Sequence, residues 1–115
     1  MILNYWIIEY NRTYLLWVVL ARGPGYGHAF TIIPVKGGKV IIIDPAGSSI
    51  TGLDLWIFRI VVPEDIRTAL NSYFNEWKRH GCYFNKIYAV FNNEKYEILN
   101  MSIDEFIEWL YKQTT

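Results

Sequence analysis

The first half of the chain is built from runs of β-branched and aromatic residues, and the second half adds apolar residues at helical spacing. Residues 2–10, ILNYWIIEY, read as a strand, Asn11-Arg12-Thr13 as a turn, and residues 14–21, YLLWVVLA, as a second strand. Arg22 to Gly27, RGPGYG, is rich enough in glycine and proline to predict a loop without regular structure. Residues 28–35 and 39–44 flank Lys36-Gly37-Gly38 and predict a hairpin. Pro34 belongs near the end of its strand or on a side without ladder bonds. Asp44 to Ser49 reads as a turn, and residues 53–62, LDLWIFRIVV, fit either a strand or a buried segment.

A helix follows, from Pro63 to about Arg79. Proline suits a first helical turn, and Glu64 and Asp65 suit its positive end. Ile66, Leu70, Phe74 and Trp77 form its apolar stripe, and Gly81 is its stop. Residues 82–91 and 95–99 predict a strand pair around Asn92-Asn93-Glu94. Ser102-Ile103-Asp104-Glu105 has the form of a capping box. It opens a last helix to about Lys112, with Ile103, Phe106, Ile107 and Leu110 on one face. The order is strands, helix, strands, helix, with hairpin connections. This predicts an α+β fold: an antiparallel sheet of about five to six strands with two helices in the C-terminal half.

Length and charge narrow the picture. The 115 residues suit a single domain, residues 1–115. Eleven basic and eleven acidic side chains cancel, which argues against a nucleic-acid partner and against a membrane-surface protein. Lys78-Arg79-His80 falls at a helix end, where cations favour the dipole. The apolar run Tyr14–Ala21 is far short of the roughly 20 residues of a membrane span. With no signal-peptide pattern and a single cysteine, a cytoplasmic setting is expected. Aromatic residues are abundant (five Trp, nine Tyr, six Phe); most are expected in the core, and any surplus suits an interface, which composition alone does not distinguish. A protein partner or self-association is therefore the expected mode of interaction. The two His and one Cys are far apart and give no metal-ligand spacing, and no cofactor is implied.

The segment GYGHAFTIIPVKGGKVIIIDPAG, residues 25–47, carries the chemistry. His28-Ala29-Phe30 at the start of one strand and Asp44-Pro45 at the end of the next resemble the core of a transglutaminase-like, papain-like domain. The resemblance covers roughly the first half of the chain. It implies that His28 and Asp44 form a dyad in which the carboxylate fixes the imidazole tautomer and stabilises its cation. Tyr26 and Phe30 are candidate binding residues beside that dyad.

The dyad requires both side chains on one face of the sheet. With a turn on Gly37-Gly38 alone, Lys36 would pair with Lys39, and Asp44 would sit opposite Thr31, on the face away from His28. With Lys36-Gly37-Gly38 as the loop, Val35 pairs with Lys39, and Asp44 faces Phe30, one diagonal step from His28. Such a loop needs a positive φ at its end, which Gly38 can supply. We therefore expect the three-residue loop.

The chain departs from the family in its nucleophile. The family's cysteine opens a helix upstream of the histidine, and here no cysteine precedes His28. This favours a catalytically incomplete domain that acts by binding protein, or one whose site is completed by a lost segment or another chain. Cys82 offers a permuted alternative, a thiol hydrolase or acyltransferase using Cys82 with His28 and Asp44. A reactive thiol needs a helix N-terminus or a nearby cation, whereas Cys82 follows a helix exit and reads as structural. A third reading is a small homo-oligomer unrelated to the family, pairing through an aromatic edge strand such as residues 2–10. Ser48 and Ser49 read as turn residues and His80 as a solvated helix end.

Overall fold

A computed structural model describes residues 16–44 and 63–114. Its strands are β1 (Trp17–Gly23), β2 (Tyr26–Val35), β3 (Lys39–Ile43), β4 (Glu64–Asp65), β5 (Lys86–Phe91) and β6 (Tyr96–Met101). Its helices are α1 (Ile66–Arg79), which follows β4, and α2 (Ile103–Gln113), which follows β6. The strands form one antiparallel sheet in the order β4-β3-β2-β1-β5-β6. The expected α+β architecture is thus observed. The expected strand at 2–10, the turns at 11–13 and 45–49 and the segment 53–62 lie outside the described residues.

Both helices pack on one face of the sheet. α1 buries Ile66, Ala69, Leu70, Tyr73, Phe74 and Trp77, and α2 buries Phe106, Ile107 and Leu110. They meet the inward side chains of the strands, among them Trp17, Val19, Phe30, Ile32, Val40 and Ile42. Strand side chains alternate between faces, so Ile33, Val35, Ile41 and Ile43 form a second buried cluster on the other side. Val40-Ile41-Ile42-Ile43 is continuously apolar because both faces of β3 are buried.

Three boundaries differ from the sequence reading, each for a local reason. Residues 22–27 are not an irregular loop. Gly23 pairs with Tyr26, leaving Pro24-Gly25 as a tight turn, and Gly25 takes the positive φ (79°) that such a turn requires. Helix α1 begins at Ile66, not Pro63, because Glu64 and Asp65 pair with Val40 and Lys39 of β3. Asp65 is then the cap, its carboxylate accepting from the Thr68 amide at 3.1 Å. Strand β5 begins at Lys86 rather than at 82. The Tyr83 amide donates to the Tyr26 hydroxyl and the Asn85 amide to the Arg22 carbonyl, so residues 82–85 lie along the β1–β2 turn.

The other end signals hold. Ser102 and Glu105 make the reciprocal capping box of α2. Gly81 and Cys82 close α1, their amides donating to the carbonyls of Lys78 and Trp77 in the Schellman pattern. Pro34 lies beyond the last β1–β2 pair, Trp17 with Ile32, so its missing N–H takes nothing from that ladder.

Candidate functional site

Whether a site exists depends on the β2–β3 register. Val35 pairs with Lys39 and Thr31 with Ile43, so the loop has three residues, and Gly38 holds a φ of 73° at its end. Asp44, next after Ile43, therefore falls opposite Phe30 and on the helix side of the sheet. His28 is on the same side, paired with core residue Ala21 of β1. The two side chains meet, His28 Nε2 lying 2.8 Å from Asp44 Oδ2.

Asp44 is 1% exposed, and a carboxylate so buried must be met by donors. Two donors converge on Oδ2, one being His28 Nε2 and the other the Tyr73 hydroxyl of α1, at 2.5 Å. An ionised carboxylate only accepts, so the imidazole carries its proton on Nε2. That leaves Nδ1, which has no hydrogen-bond partner among the described residues, as an acceptor or base. The Tyr73 phenol is pushed far above its ordinary range, first by burial, then by the Asp44 charge and the hydrogen bond to it. Tyr73 remains a donor throughout the physiological range.

An aromatic wall encloses the pair. The Trp77 ring lies 4.8 Å from the imidazole, Phe84 lies 6.2 Å from it, and Phe30 packs on Tyr73 at 4.5 Å. Trp77 is one helical turn beyond Tyr73, and the two rings meet edge to face with centroids 6.5 Å apart. A single face of α1 thus holds both the carboxylate and the imidazole.

The remaining candidates separate by position. Phe30 is buried at 3% exposure and builds the wall rather than a contact surface. Tyr26 is exposed, and its hydroxyl ties down the Tyr83 amide while its ring meets Phe84 edge-on. Cys82 is half-buried against the core, and its amide closes α1. His80 is bound to its own helix through the Glu76 carbonyl. Among the described residues, no group of His, Cys, Asp and Glu is arranged to hold a metal, and no helix is long and apolar enough to cross a membrane.

Tyr73 is the site residue that sequence reasoning missed. The signal was present, since Tyr73 stands four residues before Trp77 on the apolar stripe. A buried tyrosine in such a stripe needs a partner for its hydroxyl, but which partner depends on the fold. No protein-family model, curated protein or solved structure matches this chain.

Proposed function

We propose that this chain is a transglutaminase-like domain, catalytically incomplete by itself, that acts as a protein-binding or self-associating module. The observation that carries the proposal is the apolar surface of β6, the outermost strand on its side of the sheet among the described residues. Ile98 is 62% and Tyr96 56% exposed, and Phe91 of β5 stacks beside Tyr96 at 6.2 Å. Ile98 pairs with Ala89 and Tyr96 with Phe91, on the face away from the helices.

The backbone supports the same reading. The Asn92 amide donates to the Lys95 carbonyl and closes the β5–β6 hairpin. Antiparallel pairs alternate between bonded and non-bonded, so the amides of Tyr96 and Ile98 point away from β5. An added strand would bond to those groups while covering the exposed side chains. Asn100, at a φ of 49°, bulges the strand and limits this edge to its first residues.

Cys82 fits the incomplete reading, because it sits at the negative end of the α1 dipole, which disfavours a thiolate. One observation favours the alternative thiol chemistry: Trp77 and Phe84, on either side of Cys82 in the chain, both touch the His28 ring. Alkylation separates the two. Slow modification of native Cys82, unaltered in Asp44→Asn, is the expected result, whereas fast modification that depends on Asp44 would favour the alternative.

The main test is sedimentation over a wide concentration range, with Ile98→Lys as the comparison. The wild type is expected to associate, with itself or with an added protein partner, and the variant to stay monomeric and folded. A wild type that remains monomeric at high concentration and captures no partner would remove the proposal. So would amidase, peptidase or cross-linking activity in the isolated chain.

A further inference from the structure

We infer that Tyr73 is the positioning residue of the His28 site: its hydroxyl holds Asp44 in place, so that His28 is kept as the Nε2–H tautomer and presents Nδ1 to a hydrogen-bond-donating group. This goes beyond the proposed binding function and does not depend on β6.

The argument begins with the shared atom. His28 Nε2 and the Tyr73 hydroxyl both approach Asp44 Oδ2, at 2.8 and 2.5 Å. One carboxylate oxygen has two lone pairs, and each donor takes one. The arrangement is consistent only if both neighbours donate, which settles the imidazole proton on Nε2. The hydroxyl also restrains rotation of the carboxylate, which follows the last residue of β3. Tyr73 is itself fixed, being 1% exposed and packed on Phe30, Phe74 and Trp77. Orientation therefore passes from the rigid α1 core through Tyr73 and Asp44 to an imidazole whose side chain is 14% exposed.

The chemical consequence is a class of ligand. An Nδ1 with no partner among the described residues, at a partly exposed position, accepts from a hydroxyl, thiol, amide or ammonium group. It does not favour a group that can only accept, such as a carboxylate, while the imidazole is neutral.

The test is NMR on the intact chain with labelled histidine. In the wild type, the His28 ring is expected as a single tautomer with a slowly exchanging Nε2 proton. In Tyr73→Phe, which keeps the ring packing, that proton should exchange at least about tenfold faster, the order expected for losing one hydrogen bond to a charged group. The ring nitrogen shifts should move toward tautomer-averaged values. Phe74→Leu, which loosens the same core without removing a hydrogen bond, should leave the ring signals in place. An unchanged tautomer and exchange rate in Tyr73→Phe would overturn the inference, as would an equal change in Phe74→Leu. Should Tyr73→Phe not fold, the wild type still decides. A slowly exchanging Tyr73 hydroxyl proton close to the His28 Nε2 proton is required, and its absence would overturn the assignment.

Discussion

Asp44 is almost fully buried, so its charge relies on the donors around it. Replacing Tyr73 by Phe removes one of them and should cost about 1.5–3 kcal/mol at neutral pH, as measured by denaturant unfolding. The same residue sets an alkaline limit. Its phenol is displaced upward in the folded state, so its contribution is complete below the ordinary tyrosine value of about 10 and is lost as pH rises above that value. Wild-type stability should therefore fall above about pH 10 more steeply than that of Tyr73→Phe. Parallel slopes for the two proteins would show that Tyr73 does not carry this dependence. Of the site residues, His28 and Asp44 were legible in the sequence because their spacing across a short hairpin permits one productive register. Tyr73 was not legible as a partner, because it lies 29 positions after Asp44 and is brought to it only by the docking of α1 on the sheet.

Between residue and fold stands the β2–β3 hairpin, whose loop length decides which face Asp44 takes. Gly38 holds that loop at a positive φ, and a Cβ there would also meet the Tyr111 ring of α2 at 3.1 Å. Gly37 has a positive φ too, but open space around it. Gly38→Ala should therefore destabilise the protein by about 1–2 kcal/mol or more, and Gly37→Ala by less, in thermal or denaturant unfolding. Equal losses would mean that contact with Tyr111 adds nothing beyond backbone strain. The loop carries a further load, since the Gly38 carbonyl accepts the Ile66 amide at the start of α1. Tyr111 also donates to Asp65, the cap of that helix, and this bond holds the Asp65 carboxyl below its usual range. The hairpin that aligns Asp44 is thus the one on which α1 begins, and α1 carries Tyr73. Local signals located the capping box, the Gly81 stop and the hairpin. They misplaced the start of α1, because pairing of Glu64 and Asp65 with β3 is a tertiary competition that proline and acidic residues do not reveal.

Across the whole molecule, the sheet is protected unevenly. β1 lies between β2 and β5, with both helices on one side, and Val19, Ile32 and Val90 are fully buried. Hydrogen exchange should be slowest at these central strands and fastest at the outward amides of Tyr96 and Ile98. Protection of the β6 amides that grows with protein concentration would place the contact between copies at that edge. Fast exchange at every concentration would exclude self-association there. The exposure of Ile98 could not be read from the sequence, where it looks like any other residue of an apolar strand. It emerges only when β6 is found at the end of the strand order.

The sequence by itself determined what local physics controls. Alternation specified strands, helical spacing specified two amphipathic helices, the capping residues set most helix ends, and a glycine loop specified the register that brings His28 and Asp44 to one face. Tertiary structure decided what depends on distant partners: the tight β1–β2 turn, the pairing of β4, the Tyr73 donor to Asp44 and the exposed edge at β6. The division has one physical cause. Backbone preference and side-chain periodicity act over a few residues, whereas burial and donor–acceptor pairing are settled only when separate elements pack together.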